Sequence, residues 1–347
     1  MSARVVLVTG VSRYLGGRLA AELSADPSID RLIGVDVVPP RADVGRTEFV
    51  RADIRNPIIA KVIASAQVDT VVHMSVIATP FGAGGRTAMK EINVIGTMQL
   101  LAACQKAPSV RKLVVKSTTA VYGSSSRDPA LFTENMEPRG LPRSGYAKDS
   151  VEVEGYVRGL GRRRPDVDVT LLRFANFIGP TIDTPLTRYF ALPVVPTVLG
   201  FDPRVQFLHE EDGLAVLRRA VIEDHRGTFN VAGDGVLLLS QAIRRAGRTS
   251  IGIPSPAVSL AGSLFRRTGL VDFSPEQLRF LQFGRGVDTT RLRTDFGYQP
   301  QHDTVSAFDA FVTGMGLTPI IDADRIEAAG RTVAALAGVG LGGIGRA

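Results

Sequence analysis

The chain has 347 residues, 44% of them hydrophobic, which is enough to bury a large core and predicts about two domains. Its only cysteine, Cys104 in LLAACQKA, cannot form an intramolecular disulfide and is interpreted as a packed core thiol, so redox and cysteine-based metal chemistry are not expected. The net charge of +7 suits small anionic ligands, but the basic residues are dispersed and aromatic residues are only 6%, which argues against a nucleic-acid partner.

Apolar runs alternate along the chain with segments that have a helical pattern. These runs are RVVLVTG (4–10), RLIGVDVV (31–38), TEFVRAD (47–53), DTVVHMS (69–75), KLVVKSTTAVYG (112–123) and DVTLLRFAN (168–176). Continuous rather than alternating apolar runs are typical of parallel strands that are covered on both faces. The pattern predicts an α/β fold with a doubly wound parallel sheet of Rossmann type and a smaller C-terminal substrate-binding domain.

The pattern changes after about Gly179 to Pro-rich stretches with shorter helices. We therefore expect a dinucleotide-binding domain over residues 1–179, a mainly substrate-binding domain over 180–316 from which some segments return to the sheet, and a tail over 317–347. The tail has 14 uncharged residues between Arg331 and Arg346, fewer than the ~20 that span a bilayer, so a membrane partner is not expected. The first strand begins almost at the first Met, and this favours a cytoplasmic protein.

The first strand leads into the turn VTGVSRYLGGRLA. Gly10 follows the strand and Gly16 opens a helix, so backbone N–H groups and the helix N-terminus could hold a pyrophosphate. Asp36 closes the second strand, where a carboxylate accepts hydrogen bonds from the hydroxyls of an adenine ribose. Together these features predict an adenine dinucleotide site.

Over roughly residues 4–315 the chain resembles the extended short-chain dehydrogenases/reductases, and among them the NAD-dependent epimerase/dehydratase group that includes the nucleotide-sugar 4-epimerases. TGVSRYLG resembles TGxxGxxG, RADIRNP resembles the acid–hydrophobic pair that lies against adenine, and VVHMSV resembles VVHLAA. EINVIGTMQLLAAC, KSTTAVYG, LRFANFIGP, FLHEEDGLAV and DTTRLRTDFGYQP resemble five later motifs in the same order. The cofactor contacts that the resemblance implies are Gly10, Arg13, Tyr14, Leu15, Gly16, Asp36, Asp53, Ile54, Ser75 and Asn93.

Arg13 replaces the middle glycine of this phosphate turn. An arginine there also resembles the turn of NADP-preferring relatives, in which the guanidinium binds a 2′-phosphate. Asp36 would repel that phosphate and accept the ribose diol. NAD is therefore the expected cofactor, with NADP as the alternative.

The resemblance implies an active site with one substitution. Tyr146 matches the acid/base tyrosine, and Thr118 matches the hydroxyl residue that contacts the substrate oxygen, with Ser117 beside it. Ser150 stands where the family has a lysine that binds the nicotinamide ribose and lowers the tyrosine pKa. A phenol titrates near ~10 and is a poor base at neutral pH, while helical rotation turns Lys148 away from the cofactor face. The site is thus expected to be weakened, and catalytic competence is left open.

Evidence for the substrate is thinner. Asn176 matches an asparagine that contacts a nucleotide diphosphate, and Arg204 lies one residue early relative to a phosphate-binding arginine. His209 is interpreted as a structural residue before a helix cap at Asp212. No cluster has metal-ligand spacing, so no metal site is expected.

Three functions follow from these residues. The first is an NAD-dependent nucleotide-sugar epimerase or dehydratase, similar to UDP-glucose 4-epimerase, with transient hydride transfer. The second is a reductase or dehydrogenase acting on another hydroxyl or carbonyl compound. The third is a catalytically degenerate NAD-binding protein. The resemblance also implies a homodimer formed by the Asn93 and Tyr146 helices.

Overall fold

The computed structural model describes residues 4–74, 77–78, 84–137, 142, 145–254 and 275–319. Its strands are β1 Val5–Thr9, β2 Arg31–Asp36, β3 Glu48–Arg51, β4 Thr70–His73, β5 Lys112–Thr118, β6 Asp168–Phe174, β7 Asn176–Ile178, β8 Val194–Val198, β9 Arg204–Val205, β10 Phe207–His209, β11 Gly227–Val231, β12 Leu237–Leu238 and β13 Thr249–Ile253. Its helices are α1 Tyr14–Ser24, α2 Ile58–Ser65, α3 Arg86–Lys90, α4 Thr97–Lys106, α5 Gly145–Arg163, α6 Pro185–Ala191, α7 Glu210–Ile222, α8 Leu239–Arg245, α9 Pro275–Phe283, α10 Thr290–Thr294 and α11 Thr304–Gly314. A π-helical turn, Glu91–Gly96, joins α3 to α4.

Seven parallel strands form the main sheet, in the order β11-β6-β5-β4-β1-β2-β3. The order reverses between β1 and β4, which is the position where ligands bind in doubly wound sheets, beyond the carboxyl ends of the strands. The sequence-based prediction of a Rossmann-type α/β fold is confirmed.

Both faces of this sheet are apolar, because successive side chains of each strand enter different cores. Val6 and Val8 of β1 belong to a cluster that also contains Leu19 of α1, while Val5 and Leu7 belong to a second cluster. This two-sided burial explains why the strands read as continuous apolar runs. Cys104 is buried in the second cluster, and burial raises the pKa of its thiol to about 12.

The residues after β6 do not form one continuous unit. β11 returns to the edge of the main sheet beside β6, whereas β7–β10, β8–β13 and β9–β12 form small two-stranded sheets. A third apolar cluster, with Phe190, Phe207 and Phe308 in contact, supports this part of the chain. The division at residue 179 stays a prediction, and the expected tail lies outside the described residues from 320 onward.

Within the described ranges, no helix is both long and apolar enough to cross a bilayer. The basic cluster at the end of α5 has a more specific role than a solvated surface. Arg164 donates hydrogen bonds to the backbone oxygens of Cys104, Gln105, Ala107 and Val110 and pairs with Asp166 at 2.7 Å. It therefore joins the ends of α4 and α5.

Candidate functional site

A cavity of about 1070 Å³ opens at the carboxyl ends of the sheet strands. Its lining brings together segments that are far apart in sequence: Leu15 from the turn after β1, Thr118 from the end of β5, Tyr146 from the start of α5, and Asn176 from the start of β7. Ser117, next to Thr118, also lines it, so five of the residues singled out from the sequence share one space.

Glycine is required at two positions of the turn after β1. Gly10 has φ 78°, in the left-handed region, and a Cβ on Gly16 would lie 2.1 Å from the carbonyl oxygen of Gly10. Helix α1 follows directly, and its first residues receive no side-chain cap. Its first N–H groups are therefore available to an external acceptor such as a phosphate.

Asp36 lies beside this turn. Its two carboxylate oxygens accept the backbone N–H groups of Ser12 at 3.0 Å and Val37 at 2.7 Å. Each oxygen can accept a further hydrogen bond. Burial lowers the pKa of the Arg13 guanidinium, and the nearby negative charge of Asp36 partly opposes this shift. Asp36, which favours NAD, and Arg13, which resembles an NADP-binding residue, thus lie close enough to interact electrostatically.

The side chain of Tyr14 is directed away from the dinucleotide turn. Its hydroxyl donates to Glu210 and lies within hydrogen-bond distance of Thr181. Arg18 donates to the same hydroxyl at 3.1 Å and pairs with Glu211 at 2.6 Å. Only the backbone of Tyr14 is therefore left to contact a cofactor, as its position at the start of α1 allows.

Four further predicted cofactor contacts differ in their placement. Asp53 pairs with Arg55 at 2.6 Å, which lowers the pKa of Asp53, and Ile54 is buried against Gly96. Asn93 is fully buried and its amide exchanges hydrogen bonds with the backbone of Ile77, so it holds the segment after β4 rather than facing the cavity. Ser75 lies outside the described residues. The roles of Asp53 and Ile54 stay predictions.

Tyr146 and Thr118 are neighbours in the lining of the cavity, within hydrogen-bonding distance of each other. Burial raises the pKa of the Tyr146 phenol to about 12, while hydrogen bonding by Thr118 and Ser150 and the charge of Arg285 act to lower it. Ser150 is 2% exposed and donates to the backbone oxygen of Tyr146 at 2.9 Å. Lys148 points outward, with 44% of its side chain exposed and Glu152 as its ion-pair partner at 4.0 Å. The expected orientation of Lys148 is correct.

Ser117 lies on the other face of β5 from Thr118. It donates its hydroxyl to Glu154 at 2.7 Å, and Glu154 pairs with Arg173 at 2.7 Å. Arg173 in turn donates to the hydroxyl of Tyr122 at 2.7 Å. This buried network links β5, α5 and β6. Ser117 also lines the cavity, and its contact with the substrate stays a prediction.

Arg285 is a site residue that the sequence reasoning missed. It lines the cavity and donates to the carbonyl of Gly123 at 2.7 Å and to Thr119 at 3.3 Å, while burial lowers its pKa to about 10. The structure does not bring Arg204 to this cavity, since Arg204 is exposed and lines a smaller, adjacent one. Arg285 lies three residues before the DTTRLR motif, and its nearness to that motif was the only signal that the sequence offered.

Lys116 was also missed. It lines the cavity two residues before Thr118 and therefore on the same face of β5. Strand periodicity could have identified it, because it selects Lys116 and Thr118 together and places Ser117 on the opposite face.

One group of side chains in the described residues has a geometry that could hold a metal ion: His209, Asp212 and His302. The two rings stack at 3.9 Å, and Asp212 accepts hydrogen bonds from Tyr298, Gln301 and His302. These contacts join α7 to residues 298–302, and this structural role explains why the three side chains lie together. Helix α7 begins at Glu210 and is capped by His209, which accepts the N–H of Glu211, so the expected cap at Asp212 is wrong.

Comparisons with known proteins agree with this arrangement. Residues 6–232 match the family model described as the NAD dependent epimerase/dehydratase family. Uncharacterized proteins of Mycobacterium tuberculosis and Mycobacterium bovis are each 54% identical over 328 residues, covering 93% of this chain and 87% of theirs. UDP-glucose 4-epimerase 2 of Oryza sativa is 30% identical over 198 residues, which is 51% of this chain and 45% of that protein.

Solved structures show the same fold at low sequence identity. A UDP-glucose 4-epimerase of Thermotoga maritima with UDP-glucose superposes with a TM-score of 0.68 at 16% identity, covering 90% of this chain and 98% of that one. A UDP-glucuronic acid 4-epimerase of Bacillus cereus with NAD gives 0.69 at 18% identity, covering 90% and 98%. A dTDP-glucose 4,6-dehydratase of Bacillus anthracis with NAD gives 0.68 at 17%, covering 90% and 97%.

Proposed function

Because this chain belongs to the NAD dependent epimerase/dehydratase family, we propose that it binds NAD and exchanges a hydride transiently at a hydroxyl group of a nucleotide sugar. The observation that carries the proposal is the cavity in which Leu15 of the phosphate turn, Thr118, Tyr146 and Asn176 meet. A cofactor cradle and an acid/base pair thus share one space.

The chain's residues fit a dinucleotide. The uncapped N-terminus of α1 and the close approach of Gly10 and Gly16 suit a diphosphate, and Asp36 retains acceptor capacity for a ribose diol. A carboxylate at that position favours NAD over NADP, because it would repel a 2′-phosphate. When bound, NAD supplies a hydride acceptor that can return the hydride to the substrate.

In this proposal Tyr146 removes the proton from a sugar hydroxyl and later returns it, while the Thr118 hydroxyl hydrogen-bonds the same oxygen. Ser150 holds the first turn of α5 by donating to the backbone of Tyr146, but it brings no positive charge. General acid–base catalysis contributes about 10²- to 10⁴-fold, so a phenol that lacks the family lysine still allows slow turnover.

We propose that Arg285 and Asn176 bind the diphosphate of the substrate. Both line the cavity, and the guanidinium of Arg285 is held by Thr119 and Gly123 without a carboxylate partner among the described residues. Arginine suits phosphate because its planar fork of donors matches phosphate oxygens. The solved structures with UDP-glucose or NAD, named above, support a nucleotide sugar as the substrate class.

We also propose a homodimer. Ile95 and Met98, on the π-helical turn and α4, are 44% and 40% exposed, and Tyr156 on the neighbouring helix α5 is 39% exposed. Apolar side chains on two adjacent helices suit a helical interface with a second copy of the chain. The cytoplasmic location stays a prediction.

One observation favours the catalytically degenerate alternative. The phenol of Tyr146 has a pKa raised to about 12 and the family lysine is replaced, so the protein would bind NAD without turning substrate over at a useful rate. Binding and turnover must therefore be measured separately.

The proposed function is tested with the variant Tyr146→Phe. Turnover of a panel of UDP- and dTDP-sugars should fall by about 10²-fold or more, whereas NAD affinity measured by calorimetry should stay within about twofold, because only the proton-transfer group is removed. Tyr156→Phe removes an exposed hydroxyl from the same helix and should keep wild-type turnover. Equal rates in wild type and Tyr146→Phe would refute the acid/base role, and NAD binding without turnover of any sugar would favour the degenerate alternative.

A further inference from the structure

A second positive charge enters the cavity from the central strand β5. Lys116 and Thr118 lie two residues apart, point to the same face of the sheet and both line the cavity. The ammonium group of Lys116 lies 6.0 Å from the ring centre of Phe177, another lining residue. Lys116 therefore reaches the space that the proposed function assigns to the dinucleotide.

This ammonium group is not neutralised by the described part of the protein. No hydrogen bond or ion pair of Lys116 is found among the described residues, in contrast to Lys112 of the same strand, which pairs with Asp224 at 2.6 Å and donates to two carbonyls. Burying a cation without a partner is costly. An anion that enters the cavity would remove that cost.

The titratable neighbours of Lys116 are Arg13 at the turn after β1 and His73 at the end of β4. Burial and the charge of Arg13 lower the pKa of Lys116 to about 8. His73 is neutral near pH 7, because burial and the charge of Lys116 lower its pKa to about 4, and both its ring nitrogens are engaged by Thr9 and Thr97. Lys116 and Arg13 are thus two cations near the uncapped start of α1, and Arg13 also has the carboxylate of Asp36 as a neighbour.

We propose that Lys116 and Arg13 form a two-cation clamp for the diphosphate of the dinucleotide, with Lys116 reaching it from β5 and Arg13 from the turn after β1. This inference rests on the proposed binding of a dinucleotide in the cavity. The clamp explains how the turn tolerates an arginine in place of a glycine, since the side chain supplies a charge where the family uses close backbone approach.

The clamp is distinct from a proton-transfer role. The groups that act on the phenol of Tyr146 are Thr118, Ser150 and Arg285, and Lys116 is not one of them. The part of the ligand that the clamp would bind is therefore the diphosphate. ADP-ribose contains this diphosphate, as NAD does, but ADP-ribose lacks the nicotinamide ring.

The test compares wild type, Lys116→Met and the control Lys148→Met, using NAD and ADP-ribose as ligands in calorimetry at pH 7. Lys116→Met should weaken both ligands by about 10- to 100-fold, the scale of one hydrogen bond to a charged group, and Lys148→Met should bind as wild type does. Melting temperatures of the free proteins show whether each variant is folded.

A second measurement uses wild type alone. The pKa of Lys116 is about 8, whereas those of His73, Tyr146 and Arg285 are about 4, 12 and 10 and lie outside the range from pH 7 to 9. The protonated lysine is the binding form, so ADP-ribose affinity should fall as pH rises through 8, by up to about tenfold per unit. Lys116→Met should show a flat profile.

Two results would overturn the clamp. If Lys116→Met binds ADP-ribose as tightly as wild type, or if wild-type affinity is constant between pH 7 and 9, Lys116 does not contact the diphosphate, while the proposed function stands. If wild type binds neither NAD nor ADP-ribose, the clamp and the proposed function both fail.

Discussion

Tyr146, the proposed acid/base residue, lines the cavity, yet its environment opposes its ionisation. Burial raises its pKa to about 12, and the nearest helical position that could carry a compensating charge holds Ser150. At pH 8 only ~10⁻⁴ of such a phenol is ionised. Because the phenolate that removes a substrate proton is so scarce, proton removal should limit the rate.

Ser150→Lys should therefore raise turnover and change its pH dependence. In wild type, kcat at saturating NAD should rise about tenfold per pH unit from 7 to 10, because the active form is the phenolate and its pKa lies above this range. A lysine at position 150 lowers that pKa, so the variant should be faster at pH 7 and level off at a lower pH. Ser150→Met fills similar space without a charge and should give no gain. The expectation fails if kcat of Ser150→Lys has the wild-type pH profile.

At the residue scale, sequence reasoning found the groups that stand at motif positions and missed those defined by three-dimensional contact. Asp36, Thr118 and Tyr146 are placed by strand ends and by a helix start, which the chain pattern reveals. Arg285 reaches the cavity from a segment more than 130 residues after Tyr146, and nothing local in its sequence distinguishes it from Arg204. Side-chain direction had to come from the structure.

Among the elements, the turn between β1 and α1 has the tightest steric requirement at the site. A Cβ on Gly16 would lie 2.1 Å from a backbone oxygen, which cannot move without displacing the turn itself. The same close approach lets α1 begin beside the sheet with its N–H groups facing the cavity.

Gly16→Ala should accordingly destabilise the fold by about 1–3 kcal/mol, the usual cost of overpacking, and weaken NAD binding. Chemical denaturation gives the first quantity and calorimetry the second. Gly161→Ala in α5 is the matched control: its added Cβ would meet only Val169 at 3.7 Å, so the better helix propensity of alanine should leave stability unchanged or improve it by up to about 1 kcal/mol. Wild-type stability and affinity in Gly16→Ala would contradict the steric account.

The strands of the main sheet could be predicted at this scale, because burial on both faces makes them continuous apolar runs. The two-residue strands β9 and β12 could not, since pairing so short is decided by tertiary contact rather than by local pattern. The link that Arg164 forms between α4 and α5 could not be predicted for a similar reason, because its carbonyl partners lie more than 50 residues away in the chain.

For the whole molecule, the exposed apolar residues of α4 and α5 decide the oligomeric state that we propose. Met98→Glu should convert a dimer to a monomer, because a carboxylate would be desolvated at the centre of the interface. Light scattering after size-exclusion chromatography gives the mass directly. Met315→Glu introduces the same charge at a methionine that is 48% exposed elsewhere, and it should remain dimeric. A wild-type mass of one chain would refute the dimer.

The path of the chain through the main sheet has a consequence for biosynthesis. β11 forms one edge of the sheet, and α7 packs against α1. Both elements follow the small strands β7 to β10 in the chain. While the ribosome has delivered only the first six strands, the edge of β6 exposes unpaired backbone groups that invite aggregation. The edge of β6 is thus paired only after Val231, the last residue of β11, has emerged.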